Sequence, residues 1–129
     1  MQNTILNDTY IVNTNKVDRR ITPLLGQIEA DKSDVKFLLS QSYNKLTMIF
    51  SGNELLGFLL WGMWNDTVHI HMLSIKYQKR GIGKHLLSYL GSITTGDLMV
   101  TALDSSREFY IRSGFRQIAD DPLELIYDR

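Results

Sequence analysis

The middle of the chain alternates between apolar segments and short polar pairs. Three segments rich in aliphatic and aromatic residues are separated by Gly52-Asn53 and Asn65-Asp66, which are residue pairs typical of tight turns. Short turns between apolar segments indicate neighbouring antiparallel strands. The pattern therefore predicts a three-stranded meander formed by Leu46–Ser51, Glu54–Trp64 and Thr67–Ile75.

On both sides of this meander the apolar positions follow a helical period. A helix is predicted over Gly81–Tyr89, because its apolar residues are spaced three and four apart. Val17–Ala30 has helical character, with Pro23 expected to start or break a helix, and Ser33-Asp34 is expected to cap a second helix. The remaining predicted elements are a helix at Ser105–Arg112 and strands at Tyr10–Asn13, Leu98–Ala102, Phe115–Ile118 and Leu123–Tyr127.

The order of these elements predicts the fold class. It is β-α-α-β-β-β-α-β-α-β, with one further strand possible at the end. A meander followed by a strand–helix–strand crossover indicates an α+β fold with a sheet of mixed direction, rather than a doubly wound one. A length of 129 residues predicts a single domain spanning residues 1–129.

Composition removes several classes of function. Fourteen basic and fourteen acidic residues cancel, so no nucleic acid partner is expected. The absence of cysteine excludes disulfides, thiolate zinc sites and a cysteinyl intermediate. The first residues do not resemble a signal peptide, and the longest apolar stretch, Leu55–Trp64, is too short to span a bilayer. We therefore expect a cytoplasmic protein with no membrane partner.

The segment Gln78–Lys84 has the composition of an anion-binding loop. It follows a predicted strand, opens a predicted helix and contains Gly81 and Gly83. Glycines permit close backbone approach, and the free amides of a helix N-terminus attract anions. It matches neither the P-loop, whose glycines are further apart, nor the dinucleotide motif, which needs a glycine at Leu86. A simple turn explains a Gly-x-Gly equally well.

Two stretches resemble the GNAT (Gcn5-related N-acetyltransferase) family. Residues Met72–Leu87 are similar to its acyl-CoA motif, in which an apolar strand, Gln/Arg-x-x-Gly-x-Gly/Ala and an apolar helix follow one another. Phe109–Phe115 is similar to its Phe-Tyr-x-x-x-Gly-Phe stretch, about 30 residues later. The resemblance implies a GNAT-like domain with flanking helices, whose mixed central sheet has a splayed strand pair, Thr67–Ile75 and Leu98–Ala102. It also implies acetyl-CoA as cosubstrate.

The same resemblance implies a set of cofactor-binding residues. The strand backbone would pair with the pantetheine amides at Leu73 and Ile75, and the loop amides from Arg80 to Lys84 would bind the pyrophosphate. The predicted cofactor-binding residues are Leu73, Ile75, Gln78, Lys79, Arg80, Gly81, Ile82, Gly83 and Lys84.

Tyr110 is the predicted general acid. In the family, the matching tyrosine hydroxyl lies near the sulfur of CoA, and a phenol with an ordinary pKa near 10 is protonated at neutral pH and can donate. The alternative is that Tyr110 is a half-buried aromatic residue of an amphipathic helix, packed beside Phe109.

His69 is the predicted general base, because the resemblance places it where some family members carry a glutamate. The alternative is that His69 and His71 are ordinary strand residues, with Glu54, Asp66 and Asp104 as other candidate bases. Strict alternation places two sets of residues on opposite faces of the strand: Val68, Ile70 and Met72, and His69, His71 and Leu73. No metal is expected, because no third ligand accompanies the two histidines.

The resulting hypothesis is an N-acetyltransferase that acts by direct attack of a primary amine, on a small molecule or a protein, within a ternary complex. The alternative is an acetyl-CoA-binding regulatory module that acts on a protein partner. Trp61 and Trp64 are expected on opposite faces of their strand, one of them beside the acceptor. The acceptor stays unidentified, and either a monomer or a homodimer is expected.

Overall fold

A computed structural model describes residues 8–129, and their strands form one seven-stranded sheet in the order β1-β2-β3-β4-β5-β7-β6. All neighbouring strands are antiparallel except β4 and β5, which are parallel. The strands are β1 (Thr9–Thr14), β2 (Asn44–Ser51), β3 (Glu54–Trp64), β4 (Thr67–Ile75), β5 (Asp97–Thr101), β6 (Arg116–Asp120) and β7 (Leu123–Tyr127).

The helices are α1 (Thr22–Leu25), α2 (Lys32–Leu39), α3 (Ile82–Ile93) and α4 (Arg107–Arg112). The α1 and α2 helices cover the β2 and β3 half of one sheet face, where Leu24 and Val35 share a core with Phe58. The α3 and α4 helices cover the opposite face, where Leu90 and Tyr110 share a second core with strand residues. Among residues 8–129 no helix is both long and apolar enough to cross a membrane.

The meander, the crossover helix and the mixed sheet are confirmed, whereas the predicted cap of the second helix is wrong. Within Val17–Ala30 a 3₁₀ turn, the four-residue α1 and another 3₁₀ turn follow one another, and Pro23 lies in the first turn of α1, as predicted for a proline that starts a helix. The cap of α2 is Asp31 rather than Ser33-Asp34. The Asp31 side chain accepts hydrogen bonds from two amides of the first turn, and the Asp34 side chain accepts one from the Asp31 amide.

The predicted splay between β4 and β5 is present. Their parallel pairing runs from Thr67 opposite Asp97 to Ile70 opposite Val100 and ends there. β4 nevertheless continues to Ile75, paired only with β3 on its other side. The edge of β4 beyond Ile70 therefore faces a gap in the sheet instead of a neighbouring strand.

A bulge in β4 at His71 overturns the predicted alternation of side chains. Trp61 of β3 pairs with Ile70, while the adjacent Leu60 pairs with Met72, so His71 is an extra residue. Ile70 packs with α3 and α4, but Met72 packs with α1 and α2, and Leu73 returns to the side of α3. The predicted faces are therefore wrong from Met72 onwards, because one inserted residue reverses a period of two.

Candidate active site

The gap between β4 and β5 opens into a cavity of about 800 Å³, here named the loop cavity. Its walls come from the end of β4, the Gln78–Lys84 loop, the first turn of α3, and α4. The charged side chains among its lining residues are all basic: Lys79, Lys84 and Arg112. Its local charge therefore favours an anionic ligand.

The backbone of the loop exposes amides to this cavity. Lys79 and Gly81 both have left-handed backbone angles, with φ values of 62° and 77°. The turn at Gly81 leads directly into α3, and no side chain caps the first turn of that helix. The first amides of a helix have no partner within the helix, so they are free to bind an anion.

Several residues of the Gln78–Lys84 loop line the loop cavity and also make contacts that hold the fold together. Ile82 is buried in the core with Ile75 and Leu86. The Gln78 side-chain amide donates to the Ile75 carbonyl over 3.0 Å. A Cβ atom at Gly83 would lie 2.9 Å from the Phe109 ring, so this glycine lets α3 approach α4 closely.

Arg80 differs from the other predicted cofactor-binding residues, because it is not among the residues that line the loop cavity. Its guanidinium lies over the Tyr77 ring, 4.8 Å from the centroid. The Tyr77 hydroxyl in turn donates to Glu54, which also pairs with Lys76. A role for Arg80 in binding the cofactor stays a prediction.

The unpaired edge of β4 presents backbone groups to the loop cavity. The Lys76 amide donates to the Leu56 carbonyl across the β3 side. Because successive residues of a strand direct their amides to opposite sides, the amides of Ile75 and Leu73 face the gap. These are the two residues whose backbone was predicted to bind the cofactor, so the required groups are available.

The Tyr110 side chain lies where the loop cavity meets a second cavity. Only 4% of the residue is exposed, and its ring packs edge-on against Phe109 and Phe115. Within residues 8–129 its hydroxyl makes no hydrogen bond, although the side chain lines both cavities. Burial raises the pKa of Tyr110 above its usual value, so the phenol keeps its proton at neutral pH.

The second cavity, here named the carboxylate cavity, has a volume of about 450 Å³. The charged side chains among its lining residues are both acidic, Glu29 and Asp34. It meets the loop cavity at a common wall formed by Ile28, Leu73, Ser106 and Tyr110. Two cavities of opposite charge thus meet at a buried phenol.

His71 lines the carboxylate cavity, and a hydrogen bond to Asn44 determines which tautomer its ring adopts. The Asn44 side-chain amide donates to the Leu38 carbonyl over 2.8 Å, so its oxygen faces Nε2 of His71, 3.0 Å away. An oxygen can only accept, so Nε2 carries the proton and Nδ1 keeps its lone pair. Burial, and secondarily His69, lowers the pKa of His71, which favours this neutral form.

His69 lies in a different place from the one predicted for a base. Its ring stacks flat on Trp64 at 3.6 Å, in a third cavity of about 270 Å³ that Tyr110 does not line. Burial lowers the pKa of His69 as well. Trp61, by contrast, is buried and donates to Thr47, so Trp64 is the tryptophan nearer to this surface.

The other candidate bases are engaged elsewhere and do not line the carboxylate cavity. Glu54 is bound by Lys76 and Tyr77, and Asp104 pairs with Arg107. Asp66 belongs to the β3–β4 turn, where its φ is 58°. Among residues 8–129, no three histidine, aspartate or glutamate side chains are grouped as metal ligands.

Sequence reasoning missed the residues that come from outside the motifs. Glu29 was not singled out, and Asp34 was predicted only to cap a helix, because neither residue carries a local signature of a binding site. Asn44 was not singled out, although it is fully buried at the start of β2. A Cβ atom at Gly62 would lie 2.0 Å from the side-chain oxygen of Asn44, so the glycine at this position leaves room for Asn44 beside His71.

Comparisons with known proteins agree with this architecture. The family profile described as an acetyltransferase (GNAT) domain matches residues 18–124. A search of curated protein sequences found no match. Solved structures with the same fold include a Bacillus subtilis acetyltransferase in complex with CoA, with a TM-score of 0.75, 19% identity and coverage of 94% of this chain and 99% of that chain.

Two further structures show the same fold. A GNAT family acetyltransferase from Elizabethkingia anophelis with acetyl-CoA bound has a TM-score of 0.76 at 18% identity, and the match covers 95% of this chain and 99% of that one. Tetrahymena Gcn5 has a TM-score of 0.74 at 12% identity, and the match covers 94% of this chain and 95% of that one. With the family profile matched over most of its length, the chain belongs to the GNAT acetyltransferase family.

Proposed function

We propose that this protein transfers the acetyl group of acetyl-CoA to a primary amine by direct attack within a ternary complex. One observation carries the proposal: within residues 8–129 the Tyr110 hydroxyl makes no hydrogen bond, and the side chain lies where a basic cavity meets an acidic one. A basic cavity suits the phosphates of CoA, and an acidic one suits a positively charged acceptor. The reacting atoms would then meet beside Tyr110.

The loop cavity fits acetyl-CoA in shape and in charge. The uncapped amides of α3, with Lys79, Lys84 and Arg112, suit a pyrophosphate. The free edge of β4 offers the amides of Leu73 and Ile75 to an extended chain that carries its own amides. The Bacillus subtilis and Elizabethkingia anophelis structures of the same fold contain CoA and acetyl-CoA.

The residues of this chain supply both proton transfers. His71 accepts a proton from the bound ammonium through Nδ1, directly or through water, and the neutral nitrogen then attacks the thioester carbon. A carbon–nitrogen bond forms while the carbon–sulfur bond breaks. Tyr110 donates its proton to the departing sulfur, and the nitrogen, which still carries one proton too many, returns a proton to the Tyr110 phenolate as the amide forms. His71 then releases its proton to solvent.

The geometry favours His71 over His69 as the base, because His71 shares a cavity with Tyr110 and its Nδ1 has a lone pair. His69 has one ring face covered by Trp64, and it lines only the third cavity. The assignment of His69 stays a prediction, and the comparison of the two variants below decides between them.

The test is turnover in the presence of acetyl-CoA and a panel of primary amines. We expect thiol release together with an N-acetylated product identified by mass spectrometry. Tyr110→Phe should lower kcat by about 10²–10⁴-fold, the usual contribution of a positioned acid. Thermal stability and acetyl-CoA affinity should hold, because the lost hydroxyl makes no hydrogen bond within residues 8–129.

Tyr127→Phe is the matched control, because Tyr127 also lacks a hydroxyl hydrogen bond within residues 8–129 but lies outside both cavities. Its kcat should equal that of the wild type. An equal loss of kcat in both variants would contradict the role of Tyr110. Binding of acetyl-CoA without any acetylated product would instead support the regulatory module.

A further inference from the structure

We infer that the amine acceptor carries a second positive charge, separated from the reacting amine by a short apolar chain, as in an α,ω-diamine or a polyamine. The inference rests on the proposed function and extends it to the class of acceptor. It depends on three features of the carboxylate cavity: its charges, its apolar walls and the Tyr110 phenol, which has no hydrogen-bond partner within residues 8–129.

The charges of this cavity select a cation. The Glu29 side chain makes no hydrogen bond or ion pair within residues 8–129, so its carboxylate is available to a ligand. Asp34 accepts a hydrogen bond from the Asp31 amide through one oxygen, and that bond leaves its other oxygen and its charge in place. Among the described lining residues there is no lysine or arginine to neutralise this pair.

The two carboxylates do not belong to the catalytic wall. Glu29 lies between α1 and α2 and Asp34 lies in the first turn of α2, whereas His71 comes from β4 and Tyr110 from α4. In the proposed arrangement the carboxylates hold one ammonium group and Tyr110 faces the other amine. Recognition and reaction then use different groups of one molecule.

The rest of the lining is mainly apolar, which suits a methylene chain. The apolar lining residues are Ile28, Ala30, Met72, Leu73, Val100, Ala102, Leu103 and Pro122. Contact with a methylene chain removes its surface from water and adds affinity that a bare ammonium ion lacks. A chain with a charge at each end matches a cavity lined by carboxylates, apolar side chains and a phenol.

Tyr110 provides an independent indication that this cavity binds a ligand. A phenol that is only 4% exposed normally has a hydrogen-bond partner, yet this hydroxyl has none within residues 8–129. The side chain lines the carboxylate cavity together with His71. The Tyr110 oxygen is not among the fully enclosed side-chain atoms that lack a partner within residues 8–129, so the cavity reaches the hydroxyl and a substrate group can supply the partner.

The experiment compares amines that are matched in length and differ in charge. The panel contains 1,5-diaminopentane, pentylamine and 5-aminopentanoate, with 1,3-diaminopropane and spermidine to vary the spacing. The two carboxylates together should favour the diamine over pentylamine by roughly 10-fold in kcat/KM, the size expected for two solvent-accessible ion pairs. The preference should shrink as salt is added, and 5-aminopentanoate should be the poorest acceptor.

The matched variants are Glu29→Gln and Asp34→Asn, which keep size and remove one charge each. Each should raise KM for the diamine by about 3-fold, the value of one exposed ion pair, and leave pentylamine unchanged. Asp128→Asn removes an equal charge from Asp128, which pairs with Arg116 outside this cavity, and should change neither amine. Loss of the diamine preference in Asp128→Asn alone would overturn the inference.

The outcomes separate the inference from the proposed function. Equal kcat/KM for the diamine and pentylamine would overturn the inference while acetyl transfer stands. Should no amine be acetylated, the proposed function fails, and calorimetry then tests the cavity alone with the enzyme saturated with CoA. Tighter binding of 1,5-diaminopentane than pentylamine, weakened by Glu29→Gln, would support the inference, and equal binding would overturn it.

Discussion

The loop cavity and the carboxylate cavity share a wall at Tyr110, yet the chain builds them in different ways. The loop cavity depends on a contiguous stretch from Leu73 to Lys84, closed by α4. The carboxylate cavity combines side chains from the α1–α2 segment, β4, β5 and α4, which are far apart in the sequence. One cavity is defined mainly by a local backbone conformation, and the other by the packing of separate elements.

The difference explains why one cavity has a sequence signature and the other does not. A phosphate-binding turn needs glycine at fixed positions, whatever the rest of the chain does. A pocket for a small amine needs only a few charges at suitable places, and many sequences can supply them. Acceptor choice can therefore vary within one fold while the loop stays recognisable.

The largest effect is expected from a substitution that removes the preference of the loop cavity for anions. Gly81→Glu places a negative side chain at the entrance of α3, and it should abolish the stabilisation by acetyl-CoA. In the wild type, acetyl-CoA at ~100 Kd should add about 2.7 kcal/mol, measured as a rise in Tm. Amine binding, measured by calorimetry without CoA, should stay within 2-fold, because that cavity is lined by other residues.

Gly81→Ala is the control, since it carries the same left-handed backbone cost, about 1 kcal/mol, without the charge. It should lower the Tm of the free protein but keep a rise on adding acetyl-CoA. A full rise in Gly81→Glu would contradict the assignment of the loop. Gly83→Ala is a poorer test, because its Cβ atom would first press on Phe109.

The next prediction concerns His71, the proposed base, which lines the carboxylate cavity. Because the pKa of His71 lies below the ordinary value near 6.5, the neutral base persists above that pH and is lost only as the pH falls through the lowered pKa. The acidic limb of kcat should therefore lie below pH 6.5. His71→Gln, whose amide can still donate to Asn44, should lower kcat by about 10²-fold and remove that limb.

His69→Gln provides the comparison, because it changes the neighbouring imidazole outside this cavity. Its kcat and its acidic limb should stay close to those of the wild type. Loss of the limb in His69→Gln, with the limb intact in His71→Gln, would restore His69 as the base. The pH dependence of kcat at saturating amine is the measurement in both cases.

The smallest effect is expected from a substitution at the cap of α2, which tests whether this helix positions the carboxylates. Asp31→Ala removes the side-chain half of a capping box and should cost about 1 kcal/mol of unfolding free energy, measured in urea. KM for a diamine should rise by roughly 2- to 5-fold, as expected for a weakened exposed ion pair, with acetyl-CoA affinity unchanged. Asp31→Asn, which remains a good cap, should preserve both values, and an equal loss in this variant would contradict the capping argument.

The accuracy of the sequence predictions follows the same division between local and assembled features. The turns at Gly52-Asn53 and Asn65-Asp66 and the helix after Gly81 depend on local backbone preferences, and they lie where the pattern placed them. The length of α3 was underestimated, because the helix continues to Ile93 instead of ending at Tyr89. Packing extends a helix beyond the point where local periodicity weakens.

The bulge at His71 shows where sequence reasoning stops. Nothing in the sequence Thr67–Ile75 distinguishes a regular strand from a strand with a bulge, because the same sequence is compatible with both. The pairing of Leu60 and Trp61 with β4 decides the matter. The bulge places His71 and Met72 on the same side and returns Leu73 to the α3 side, which regular alternation would not do.

The sequence by itself determined the order of the elements and the glycine turn that opens α3, because turns, glycines and apolar periods act over a few residues. Only the tertiary structure decided which histidine shares a cavity with Tyr110 and that Glu29 and Asp34 line the same cavity. These relations depend on a strand register, on a buried Asn44 and on the packing of α2 against the sheet. Such contacts join residues far apart in the chain, and no local pattern encodes them.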